Sequence, residues 1–338
     1  HGKDFPVIRG AWPDWWTDGF GASAREVAVT RSASASLMAA MAGLSMAALS
    51  GIDLPAETGA DISLANEALL FYTEHTTGYS ESVREPYSQP TMEQRALKES
   101  YAWEAVRRTA SIRESAMGLL QGMFRNEPDP SLIVFNTLSW LRSGIATVYI
   151  DHQIVPRRKN AAIYDSGGAR LATQPLSHRS DGTYWAIRID SVPPFGYIKL
   201  TVRPEEADGA SGQADTGVLE NRWYKITTDS RKGAIISLLD KELSAELIDS
   251  SSEYGMGEFI LEQLGNRSQM ESRMLNDFVR KPLDTIWFES ASRGEIWNSI
   301  RFYGESETAV GPRGFMFEIR LHNMEKRIEL AYSIIKKS

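Results

Sequence analysis

Polar and apolar positions divide the 338 residues into a helical first third and a strand-rich remainder. Ser23 and Glu26 have capping-box spacing, and apolar positions then recur at helical intervals, predicting a first helix that runs to Gly51. Within it, the Ala/Met/Leu run from Leu37 to Leu49 is broken by Ser and Gly. That run reads as a buried helix, short of the roughly 18 apolar residues that span a bilayer. A second helix is predicted to start near Asp61 or Ser63, placing Leu64, Ala68, Phe71 and His75 on one face before Gly78 stops it. Thr91 and Gln94 give another capping-box signal. Ile112, Ala116, Leu119, Leu120 and Met123 then form the stripe of a long third helix ending before "NEPDP".

After Pro130 the period changes from helix to strand. "SLIVFNTLSW", "GIATVYID", "YWAIRID" and "GYIKLTV" are rich in β-branched and aromatic residues and are separated by "SGG" and "SDG" turns. The segment "PEEADGASGQADTG" has no apolar periodicity and reads as a linker. Beyond it, "ENRWYKITTD" and "GAIISLLD" predict two strands joined around "SRKG", followed by further strands, the last running to the final residue. The expected fold class is therefore α+β and multidomain. An aromatic-rich segment (1–22) precedes a three-helix bundle (23–127), a small β-sandwich (128–205), a linker (206–217) and a second β domain (218–338).

Composition narrows the function classes. Apolar residues make up 42% and charged residues 24%, as in ordinary globular proteins. A formal charge of -7 provides no global positive field to attract nucleic acid or anionic lipid, so neither is an expected partner. The absence of cysteine removes disulfides, thiolate zinc sites and thiol nucleophiles, leaving His and carboxylates as the ligands for any metal. The opening "HGKDFPVIRG" lacks the basic start, apolar core and small-residue cleavage site of a targeting peptide.

Chemistry-bearing positions are sparse. His75 on an inward helical stripe is either a zinc ligand or a core or helix-end histidine. His1, His152, His178 and His322 do not complete a site around it, and neither HExxH nor H-x-H occurs. In "GAWPDWWTDGF", Trp15 and Trp16 could stack on a sugar ring while Asp14 accepts its hydroxyls, or the tryptophans could fasten an irregular segment to the helices. "YGMGEF" lacks the third glycine of a phosphate loop, and no G-x-S-x-G is present.

Taken in order, "GAWPDWWTDG", "LLFYTEHTTGYSES", "LIVFNTLSWLRSG", "ENRWYKITTDSRKGAIISLLDKELSAELID" and "EYGMGEFILEQ" resemble glycoside hydrolase family 38, the α-mannosidases, in particular its bacterial members. The resemblance implies a β/α barrel, a three-helix bundle and C-terminal β domains, the last beginning a galactose-mutarotase-like supersandwich. It further implies a retaining two-carboxylate mechanism with one zinc ion in the full-length parent. His75 would be the last zinc ligand, with Asp14, Trp15, Trp16, Glu74 and Thr76 at the sugar. Glu74 and Thr76 depart from the paired His and the Asp of the eukaryotic pattern. The nucleophile, acid/base and other zinc ligands would belong to a catalytic domain preceding His1. This chain alone would then be an inactive fragment holding one edge of a site, with His75 exposed and no zinc bound. The alternative is a non-catalytic carbohydrate-binding or scaffold module.

Overall fold

A computed structural model describes residues 23–74, 81–82, 84–125, 128–206, 217–266, 268–272, 274 and 276–337. The segment 1–22, His75, Thr76 and almost all of the expected linker lie outside the described residues. The chain forms two compact units, residues 1–126 and 127–338.

In the first unit, three helices run over Ala24–Leu49 (α1), Thr58–Thr73 (α2) and Gln89–Gln121 (α3). The buried positions of α3 include Lys98, Ala102, Ala105, Thr109, Ile112 and Ala116, alternating steps of four and three. Such a seam lets helices pack along much of their length. Leu37, Ala40 and Leu44 of α1 meet Ala65 of α2 and Ile112 and Ala116 of α3 in one core. Alanine dominates this seam because it has good helix propensity and lets backbones approach closely. By length and composition, part of α1 is apolar enough to cross a bilayer. The expected buried helix does form, with Leu37, Ala40 and Leu44 in the core. A helical core lined with Ala and Leu gives that composition equally well.

Three local expectations also fail. Ser23 precedes α1, but its side chain makes no cap bond. Its hydroxyl lies 3.1 Å from that of buried Tyr72, which needs a partner more than the helix end needs a cap. The third helix starts after Ser88 rather than Thr91, with Pro90 in its first turn, where the missing N–H costs nothing. On α2 the inward face is Ala65, Ala68 and Tyr72, whereas Leu64 and Phe71 are 41% and 47% exposed. Of the expected stripe, Ala68 does face inward, while Ala65 and Tyr72 take the inward places expected of Leu64 and Phe71, and Phe71 stacks on Tyr101 outside the core.

The second unit is antiparallel β structure. One sheet has the order β1 (Ser131–Asn136), β7 (Gly196–Glu206), β3 (Lys159–Tyr164), β4 (Arg170–Leu171). A second has β2 (Arg142–Asp151), β6 (Gly182–Val192), β5 (Thr173–His178). Trp185, Ile187 and Ile189 of β6 meet Ile163 of β3 and Leu200 and Val202 of β7 between them. Four strands were expected over these residues and seven form. Strand β5 escapes sequence reading because Pro175 sits inside it, tolerated at a sheet edge beside a bulge.

A third sheet runs β11 (Ala245–Glu246), β10 (Ala234–Asp240), β9 (Tyr224–Asp229), β8 (Val218–Glu220). A fourth runs β14 (Thr285–Ser292), β15 (Trp297–Glu305), β16 (Phe315–His322), β17 (Ile328–Ile334). A ribbon of β12 (Ile260–Leu264) and β13 (Phe278–Pro282) flanks the short helix α4 (Gln269–Ser272). Ile226, Ile235 and Leu238 share a core with Ile300, Phe302, Phe317 and Ile319. The β9–β10 turn closes at Gly233, φ +59°, where an added Cβ would fall 1.9 Å from Ile286 Cδ1, so only glycine fits. Strand β17 stops at Ile334 rather than running to the end, with one further bridge between Ala309 and Lys336.

Candidate functional site

Of the sequence-nominated residues, only Glu74 is among those described; Asp14, Trp15, Trp16, His75 and Thr76 are not. Glu74 is the C-cap of α2, its backbone N–H still bonded to the Leu70 carbonyl at 2.8 Å. The last turn of a helix leaves carbonyls unpaired. Here two of them are taken by a lysine from α3. Buried Lys98 donates from Nζ to the Phe71 carbonyl at 2.7 Å and to the Glu74 carbonyl, and lies 3.5 Å from Glu74 Oε2. A cation at the negative end of the helix dipole is favourable in addition to these bonds. Lys98 thus fixes the residue immediately before His75. Sequence reading missed it because lysine is almost never buried, although its spacing to Ala102 and Ala105 places it on the seam.

The described histidines, His152, His178 and His322, have structural settings. His152 Nε2 and His178 Nδ1 both lie near the Thr183 hydroxyl, at 3.2 and 3.0 Å. His322 is buried against Trp297, with ring centroids 5.6 Å apart. Burial holds its pKa below the ordinary value, aided by nearby Arg327 and opposed by Glu329. Among the described residues no group of three or more His, Asp or Glu could hold a metal ion, so those residues do not by themselves fit a zinc site.

The second unit contains a polar cleft of about 670 Å³ between the β14–β17 sheet and the β2–β6–β5 sheet. Its base is the face of β15 and β16 turned away from the apolar core. Ser299 and Arg301 of β15 lie across from Arg320 and Glu318 of β16. Buried Glu318 accepts from Arg301 at 3.2 Å and from two nitrogens of Arg320 at 3.0 and 2.7 Å. Arg320 also reaches Glu329 at 3.1 Å and lies over the Trp297 ring. Arg327 holds the other Glu329 oxygen at 3.0 Å. At the far side, Gln174 of β5 accepts the backbone N–H groups of Ile296 and Trp297 at 3.1 and 3.0 Å. Gly294 makes room for it, since a Cβ there would meet Gln174 Cδ at 2.2 Å. No sequence signal nominated these residues, because outward charged positions on strands usually face solvent.

No protein-family model matches the chain, and no curated protein matches it in sequence. The solved structures decide the matter of architecture. The fold is one found in glycosyl hydrolase family 38. A family 38 protein from Enterococcus faecalis is similar over 88% of this chain and 41% of its own, with TM-score 0.53 and 13% identity. An α-mannosidase from Enterococcus faecalis is similar over 88% of this chain and 39% of its own, with TM-score 0.53 and 12% identity. The chain therefore spans about two fifths of the solved proteins that it resembles.

Proposed function

We propose that the chain is a portion of a zinc-dependent, retaining glycoside hydrolase of the family 38 kind, acting on mannose-containing or related glycans. The observation that carries this reading is the extent of the fold match. A single solved family 38 chain is similar over 88% of this one, so both helical and β parts are included. The ordered sequence segments, from "GAWPDWWTDG" to "EYGMGEFILEQ", support it independently.

In this reading α1, α2 and α3 are the bundle that follows the barrel in such enzymes. Strands β1 to β7 are the small sandwich, residues 206–217 are a linker, and the strands from β8 onward open the supersandwich. His75 supplies one zinc ligand, and Asp14, Trp15, Trp16, Glu74 and Thr76 border the sugar. The carboxylate pair required for retention is assigned to no residue of this chain, so the chain alone is proposed to be inactive. The missing partner would be a catalytic domain of the same polypeptide.

The test uses the complete gene product, assayed for bound zinc and for hydrolysis of 4-nitrophenyl α-D-mannoside, beside its His75→Ala variant. Zinc content and turnover should fall together in a variant that keeps its fold. Full zinc occupancy in folded His75→Ala would remove that residue from the site. Inactivity of the zinc-loaded gene product toward a panel of α-mannosides would defeat the assignment of substrate.

A further inference from the structure

The cleft above β15 and β16 belongs to no part of the proposed hydrolytic site, and its chemistry is specific. Its lining is predominantly polar, with Ser290, Ser292 and Ser299 in a row on neighbouring strands. The hydroxyls of Ser292 and Ser299 lie 2.9 Å apart, so each retains capacity to bond outward. Beside them, buried Glu318 holds Arg301 and Arg320 in fixed positions. Charged groups already paired in this way can bond a ligand hydroxyl without first losing a loose side chain's entropy.

Charge balance then selects among polyhydroxy ligands. Four arginines, Arg142, Arg301, Arg320 and Arg327, line the cleft against three glutamates, Glu318, Glu325 and Glu329. Glu325 is also engaged from outside the lining by Arg188. Arg142 is exposed at the start of β2, paired through its backbone with Val192, and its side chain has no hydrogen-bond or ion-pair partner among the described residues. A cleft with surplus guanidinium in a chain of formal charge -7 is a local reversal of sign. Guanidinium pairs with carboxylate in a planar, often bidentate arrangement.

We propose that this cleft binds an acidic saccharide: a hexuronate carboxylate sits on Arg142, while ring hydroxyls meet the serine row and the guanidinium groups of Arg301 and Arg320. A volume of about 670 Å³ has room for more than one ring. The inference goes beyond the hydrolase reading and does not depend on it, because no residue of the cleft is assigned to zinc or to the reacting sugar.

Calorimetric titration of the 338-residue chain at neutral pH and low salt tests it, using D-glucuronate, D-glucose and acetate as probes. Glucuronate should bind saturably, about tenfold more tightly than glucose, a difference of one charge-assisted contact. Acetate, which lacks the hydroxyls, should give no saturable signal. Arg142→Ala lies on the exposed rim and should fold normally, while reducing glucuronate affinity to that of glucose. Absence of saturable glucuronate binding, equal affinity for glucose, saturable acetate binding, or an unaltered Arg142→Ala variant would each overturn the proposal. Because these readouts involve no hydrolysis, their failure leaves the mannosidase test untouched, and the reverse also holds.

Discussion

Replacing Lys98 by methionine removes the ammonium group while keeping a stem of similar length on the α3 seam. Two carbonyls, of Phe71 and Glu74, lose the donor that closes the last turn of α2. Hydrogen bonds to a charged donor contribute about 1.5–3 kcal/mol each, and the relief of no longer burying a charge offsets part of that sum. A net destabilisation of about 2–3 kcal/mol follows. Urea titration followed by far-UV circular dichroism should then show the helical transition about 1–2 M lower. Hydrogen exchange should report faster opening at residues 70–74 than in the first turns of α2.

Glu74→Ala provides the control. Its side chain is 65% exposed and lies 3.5 Å from Nζ, so removing it should cost under about 0.5 kcal/mol. A Lys98→Met variant as stable as the parent protein would refute the clamp. A Glu74→Ala effect equal to that of Lys98→Met would move the interaction from the carbonyls to the ion pair.

Three further outcomes rest on separate parts of the second unit. His322 has a depressed pKa, so the unfolded chain takes up a proton before the folded one does. Stability should therefore fall as pH drops below the unfolded value of about 6.5, and His322→Asn should flatten the slope between pH 6.5 and 5.5; an unchanged slope excludes His322 as its origin. Asn136 donates to the carbonyls of Trp140, Val192 and Pro193 at 2.7–3.1 Å and accepts the Leu138 N–H at 3.0 Å. Asn136→Ala should lower stability by about 2–4 kcal/mol in chemical denaturation, and a loss under 1 kcal/mol would contradict this network's weight. Gly233→Ala must accommodate both a positive φ and a clash with Ile286, so a loss of about 2–3 kcal/mol is expected, and a neutral effect would show that the turn relaxes freely.

The long elements were legible where one physical signal dominated. Strands β1, β2, β6 and β7 are rich in β-branched and aromatic residues, and all four were anticipated near their observed bounds. Alanine carries little hydrophobic signal, so the phase of α2 was read from Leu64 and Phe71, which the fold leaves on the surface. The two expected capping boxes failed for different reasons: the Ser23 hydroxyl is used elsewhere, and Thr91 already lies inside α3. Ser23 satisfies Tyr72, and Ser88 approaches Thr91 within the first turn of α3. As for the site, Glu74 was named but Lys98 was not, since its role arises only when α2 and α3 pack. The cleft was invisible for a related reason: Arg142, Gln174, Arg301 and Glu318 come together only through pairing across long stretches of chain.

The Gln174 contact has a kinetic meaning. Its Oε1 holds Ile296 and Trp297, at the entry to β15, from a position more than 120 residues earlier in the chain. Closing so long a loop is entropically expensive, and contacts of large sequence separation form slowly. The same residues also pair locally with β16 and Asn323, so the Gln174 bonds add the long-range attachment to the edge strand β5. Refolding of the second unit should therefore be rate-limited by a late docking event rather than by formation of any single hairpin, and Gln174→Ala should make the two sheet pairs melt in separate steps.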